Sequence, residues 1–139
     1  MKIVVDTNII FSALLKKDSN ELRIIKSGKF DIYMCQFTTV EMFKHKEKIV
    51  ELSKLNFDDI LSIYQVILNS VTVINEKDIP KNILLESKEV CREIDINDTI
   101  FIAVSKFIDS YLWTGDKKLI KGLPKKGFDK FFTTNQLLP

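Results

Sequence analysis

The chain has 139 residues, 45% of them hydrophobic and 29% charged, which suits one ordinary domain with a real core and excludes a disordered chain. Its formal net charge of +2 is too small to argue for a polyanionic partner by itself, and its basic residues are almost all Lys, with Arg only at Arg23 and Arg92. Cys35 and Cys91 fit neither a metal spacing nor a disulfide framework and read as buried thiols of a reducing cytosol. With His45 as the lone histidine, between Lys44 and Lys46, a zinc site of His and Cys is excluded.

The apolar run from Lys2 to Asp6 predicts a first strand, and its continuous character suits a central parallel strand buried on both faces. Asp6 and Asn8 interrupt it too early for a signal peptide. Thr7 and Asn8 are good caps for a helix towards Lys17, and Ser19 or Asn20 caps a shorter one ending near Gly28. Phe30 to Phe37 predicts a second strand, Thr38 opens a helix reaching Leu55, and Asn56 restarts a helix through Asn69. Ser70 to Ile74 predicts a third strand. Pro80 sits at the first turn of a helix carrying Ile83, Leu84 and Val90. Asp95 to Asp109 predicts the most apolar helix, with Ile96, Ile100, Ala103, Val104 and Phe107 on one stripe and Phe101, Ile102 and Ile108 outside it, so that it is buried nearly all round. Tyr111 to Thr114 predicts a fourth strand, Asp116 to Lys121 a short helix, and Lys130 to Thr133 a marginal last strand. There is no repeat, linker or apolar run long enough to span a membrane, so a single cytoplasmic domain, 1–139, is expected. Strands alternating with helices predict a three-layer α/β/α sandwich around a mostly parallel sheet of four or five strands.

In such a sheet, strand C-termini and the N-termini of the following helices share one edge, where these folds place ligands. Four acidic residues fall there. Asp6 ends the first strand, Asp116 follows the fourth through Thr114-Gly115, Glu41 lies early in a helix, and Asp98 opens another, with Asp95 three residues before it. Each has a plainer role. Asp6, Asp98 and Asp116 can cap helices, Asp95 suits a helix dipole, and Thr38-x-x-Glu41 is a capping box, which on spacing alone is the better account of Glu41. Caps explain each acid singly, but not four at one edge. Carboxylates gathered there repel unless a cation or protons intervene. That predicts a Mg²⁺ or Mn²⁺ site and metal-assisted chemistry on phosphate esters. Ser12, one turn beyond Asn8, either points back towards this site or lies on a helix surface.

Lys117, Lys118, Lys121, Lys125, Lys126 and Lys130 crowd the segment after Asp116, against only Asp116 and Asp129. This is either a rim for a phosphodiester backbone or a solvated surface. Tyr111, Trp113 and the phenylalanines read as core.

The order Val4-Val5-Asp6-Thr7-Asn8, then Glu41, then Asp98-Thr-Ile-Phe-Ile-Ala103, then Thr114-Gly115-Asp116 before Lys117-Lys118-Leu119, resembles the PIN-domain ribonucleases, including the toxin halves of bacterial and archaeal toxin–antitoxin pairs. The resemblance covers nearly the whole chain. It implies a PIN-like fold and four acids, Asp6, Glu41, Asp98 and Asp116, that bind one or two Mg²⁺ or Mn²⁺ ions and cleave single-stranded RNA by metal-assisted hydrolysis, with Asp6 as the central ligand. Asp95 is an additional acid found in only some branches. Thr7, Asn8, Ser12 and Thr114 correspond to supporting polar residues, and Lys117, Lys118, Lys121, Lys125 and Lys126 would follow the RNA backbone. An antitoxin partner and a homodimer are further expectations. The residues 56–87 match no motif, so substrate choice does not carry over from them. Two alternatives stay open: a haloacid-dehalogenase-type phosphatase, which needs a second Asp where this chain has Asn8, and a catalytically inactive interaction module of the same fold.

Overall fold

The computed structural model describes residues 1–139. Strands β1 (Lys2–Val5), β2 (Asp31–Cys35), β3 (Thr72–Ile74), β4 (Tyr111–Trp113) and β5 (Phe131–Phe132) form one sheet in the order β3-β2-β1-β4-β5, and every pairing is parallel. Helices α1 (Thr7–Leu14), α2 (Asn20–Lys26), α3 (Gln36–Lys44), α4 (Lys46–Ser53), α5 (Phe57–Ser70), α6 (Lys81–Cys91), α7 (Thr99–Phe107), α8 (Lys117–Gly122) and α9 (Thr134–Leu137) cover it. Short 3₁₀ turns occupy Glu76–Asp78, Ile96–Asp98 and Pro124–Lys126.

The pleat explains the layering. Ile3, Val5, Ile32, Met34 and Trp113 point to one face and meet Ile10, Leu14, Ile25, Ile49 and Ile67 from α1, α2, α4 and α5. Val4, Cys35 and Leu112 point to the other and meet Cys91, Ile102, Ala103 and Leu119 from α6, α7 and α8. The sheet is therefore buried on both faces through its centre, which is what a parallel sheet requires. Trp113 is wholly buried, and its indole N–H finds an acceptor in Thr134 Oγ1 at 3.1 Å, so the largest core side chain carries no unpaired polar atom. This is the α/β/α sandwich that the sequence predicts.

Several helix starts are as expected. The Ser19 hydroxyl accepts from Leu22 N at 3.1 Å to cap α2, and Asn56 Oδ1 accepts from Asp59 N at 2.8 Å to cap α5. Others differ. The helix expected from Thr38 begins two residues earlier, at Gln36, with no side-chain cap, so Phe37 is helical rather than in β2. The Thr38-x-x-Glu41 capping box therefore does not form. Thr38 sits wholly buried inside α3, its hydroxyl 3.3 Å from that of Thr7. The same stretch does not run unbroken to Leu55: the backbone leaves the helical region at His45 (φ −106°, ψ 17°), between α3 and α4, and Lys54 ends α4 in a left-handed conformation (φ 59°). In α7, Phe101, Ile102, Ala103, Val104 and Ser105 are buried. Ile96 and Phe107, expected on the buried stripe, are 44% and 41% exposed. The helix proper begins only at Thr99, so Ile96 falls in the preceding 3₁₀ turn and off the helical stripe, while Phe107 ends the helix at its solvent margin.

Candidate metal centre

The chain order places a topological switch between β1 and β4. From β1 it steps to β2 and then β3 on one side, and then crosses back to lay β4 on the other side of β1. A crevice opens at the C-terminal ends of two strands whose connections diverge in this way. Here the Asp6 amide donates to the Trp113 carbonyl at 3.2 Å, which ties the two strand ends together.

Asp6 is only 3% exposed. Its Oδ1 caps α1 by accepting from Ile9 N at 3.0 Å. Burial pushes its carboxyl above the usual range; the Thr114 hydroxyl and the Ile9 and Asn8 amides oppose this, and the charge on Asp116 adds to it. Thr114, wholly buried, also accepts from the Asp116 amide at 3.1 Å, so one hydroxyl links both strand-end acids. Asp116 caps α8 through Oδ1, accepting from Lys118 N at 2.8 Å and Leu119 N at 3.4 Å. Asp95 Oδ1 accepts from Asn97 N at 3.0 Å. The plainer role thus holds for Asp6, Asp95 and Asp116, but a cap occupies one oxygen and a carboxylate has two.

Asp98 differs. It stands at the start of α7 and caps nothing, and its Oδ2 is buried with no hydrogen-bond partner. One oxygen each from Asp95, Asp98 and Asp116 lies within 4.8 Å of the others. Burial, followed by the charges of Asp95, Asp116, Asp6 and Glu41, pushes the Asp98 carboxyl up to about 7. Asp98 therefore senses every other acid of the group, and it is Asp98 rather than Asp6 on which the tight triad converges. Asp6 lies deeper, lining a cleft with Thr7, Asn8, Phe37, Glu41, Asn97, Asp98 and Phe101. Glu41, released from the expected capping box, is held in that cleft by the Thr7 hydroxyl, which donates to Oε1 at 3.0 Å.

Ser12 is half-buried and does not line this cleft, so it is on the flank of α1 and not in the site. Asn97, Phe37 and Phe101 also line it, though the sequence marks none of them as a site residue and reads the two phenylalanines as core; only the position of Asn97 between Asp95 and Asp98 could have drawn notice. Lys117, Lys118, Lys121 and Lys125 are exposed without carboxylate partners, whereas Lys126 pairs with Glu93 at 2.9 Å and Lys130 with Asp109 at 2.6 Å. Cys35 and Cys91 are free and buried, and burial pushes their thiols up to about 12 and about 11, so neither is a nucleophile at neutral pH.

The donor set fits a hard divalent cation. It is all carboxylate oxygen, with no sulfur or imidazole in the triad, and it includes a buried oxygen that no protein donor satisfies. Asp95, Asp98 and Asp116 would hold the ion, with Asp6 and Glu41 close by.

An all-parallel sandwich with, at its switch point, a carboxylate cluster able to hold a divalent cation defines the class. A family profile described as PIN domain matches residues 4–136, and the chain belongs to the PIN-domain family. No curated protein matches it significantly. PIN domains are generally metal-dependent nucleases, and the triad is the cluster such chemistry needs. Membership sets aside the haloacid-dehalogenase-type phosphatase. No helix is long and apolar enough to cross a membrane.

Proposed function

We propose that the protein is a divalent-metal-dependent endoribonuclease acting on single-stranded RNA, and the toxin half of a toxin–antitoxin pair. The observation that carries the nuclease reading is the unpartnered, buried Asp98 oxygen within a triad of acids at the switch point. A bound Mg²⁺ or Mn²⁺ supplies positive charge to the phosphodiester and acidifies the attacking water. The chain's own residues do the rest. Asp95, Asp98 and Asp116 converge as ligands, and each is fixed by its place at a helix or turn start. Thr114 orients Asp6 and Asp116 together. Thr7 fixes the Glu41 carboxylate facing the cleft, where it can accept a proton from water. The lone histidine is not among the residues lining this cleft, which leaves carboxylates as its protein bases.

The test is cleavage of end-labelled RNA and DNA oligomers of one sequence. Internal cuts in the RNA, supported by Mn²⁺ or Mg²⁺ and abolished by excess EDTA, are expected; cutting that persists in EDTA contradicts the assignment. Lys117, Lys118, Lys121 and Lys125 support the RNA reading as a free cationic rim beside Asp116, whereas the Lys126 charge is already engaged by Glu93. Replacing two of the free lysines by Gln is expected to weaken RNA binding alike for all sequences and to lower the log–log salt slope by roughly 0.7 per lost contact. An unchanged slope returns them to solvated surface.

The antitoxin and the homodimer draw support from one surface. Phe43 is 71% exposed and shares an apolar recess between α3 and α5 with the exposed Phe57 and Leu61, the kind of surface that marks an interaction site. Light scattering that gives the 16.1 kDa mass of one chain at micromolar concentration would remove the dimer.

A further inference from the structure

The acidic cleft does not end at Glu41. Thr7, Asn8 and Glu41 also line a second recess, whose remaining walls are Phe11, Met42, His45 and Lys48. The start of α1 and the middle of α3 are thus a wall common to both. Phe11 is half-buried and packs its inner edge on the core. Lys48 is exposed and has no carboxylate partner, and the exposed side chain of His45, at the bend between α3 and α4, has no hydrogen-bond partner in the protein. A free cation, a free imidazole and an aromatic ring therefore border a groove that opens directly from the carboxylates. The lysine rim after β4 adjoins Asp116; this recess adjoins Glu41, so the two basic surfaces flank the acids from different elements.

A carboxylate cluster repels a polyanion, and a strand held across it needs cationic and stacking contacts on its flanks. We infer that the second recess is a nucleotide subsite, in which the single strand leaving the metal centre stacks one base on Phe11 and lays the adjoining phosphate against Lys48 and His45. The inference rests on the single-strand ribonuclease reading. Because every base has a π-face, this subsite adds affinity and path without a preferred base.

Anisotropy of a labelled RNA decamer with Mn²⁺, on an Asp6→Asn background to prevent turnover, tests it. Lys48→Gln is expected to lower the log–log salt slope by about 0.7. Phe11→Leu, which keeps the core contact, is expected to weaken binding roughly five- to hundredfold, the range for one base–aromatic stack. It should leave binding of an abasic strand of equal length unchanged, which a structural role would not. Lys48 is exposed, so its variant carries the test even if Phe11→Leu proves poorly folded by circular dichroism. Wild-type-like binding by Lys48→Gln, with loss in a Lys117→Gln, Lys121→Gln double variant, would overturn the subsite and leave the ribonuclease standing. No binding by the Asp6→Asn parent and no RNA cleavage by the wild type would overturn both.

Discussion

Replacing Asp98 by Asn is expected to stabilise the metal-free protein at neutral pH. In the fold the Asp98 carboxyl is pushed up to about 7 by burial and by Asp95, Asp116, Asp6 and Glu41, whereas in the unfolded chain it returns to about 3.9. Between those values the folded state binds the extra proton, so the contribution of this group to stability is greatest below about pH 4 and falls as pH rises to about 7. Asn carries no charge to lose and removes that dependence. Asp98 is only half-buried, so solvent screening reduces the effect to on the order of 1–2 kcal/mol at pH 7.5. Asn also brings an amide that can donate to the neighbouring carboxylates, and no cap is lost because Asp98 makes none. Urea unfolding in EDTA at pH 5 and pH 7.5 measures this: the two proteins should differ little at the lower pH and the variant should be the more stable at the higher. A variant less stable than wild type at pH 7.5 would mean that the acids do not strain the empty fold.

Asp6→Asn is expected to have the opposite profile, with fold kept and activity lost. Asn is nearly isosteric and caps a helix as well as Asp, so the Ile9 N–H keeps its acceptor. Burial already disfavours the Asp6 charge, so neutralising it does not cost stability. What is removed is a negative charge beside Asp98 and Asp116, at the end of the strand pair that frames the crevice. Loss of a group that supports the ligands of a metal site costs roughly 10- to 100-fold in activity. Single-turnover cleavage of labelled RNA, with thermal melts alongside, reads both quantities. Equal rates for Asp6→Asn and wild type, after EDTA treatment and Mn²⁺ restoration, would place the activity in a contaminant or elsewhere on the chain.

The elements that position this centre are visible in the sequence because they are short and strongly patterned. Val4 and Val5 before Asp6, and Leu112 and Trp113 before Thr114, are continuous apolar runs ended by polar residues, which is how a central parallel strand must look. The acids follow from the shared edge of such a sheet. Less visible is anything decided by tertiary contact. Thr38 and Glu41 have capping-box spacing, but the hydroxyl of Thr7, 34 residues from Glu41 in the chain, claims the carboxylate and the helix starts at Gln36. The bend at His45 leaves no trace in composition, having neither Gly nor Pro, and so the lone histidine reads as one more polar residue among lysines when it borders a recess beside Glu41. That Asp98 rather than Asp6 joins the tightest cluster depends on a 3₁₀ turn that brings Asp95 and Asp98 together against Asp116, a local winding that periodicity does not report.

The central claim is that these carboxylates are a divalent-cation site, and calorimetric titration of Mn²⁺ into the metal-free protein tests it most directly. Saturable binding is expected for wild type, with protons released below pH 7 as the ion displaces the one held on Asp98, and weaker binding with less proton release, or none, for Asp98→Asn. Wild type that takes up no Mn²⁺ at several millimolar, or an Asp98→Asn protein that binds it equally well with the same proton release, would contradict the account.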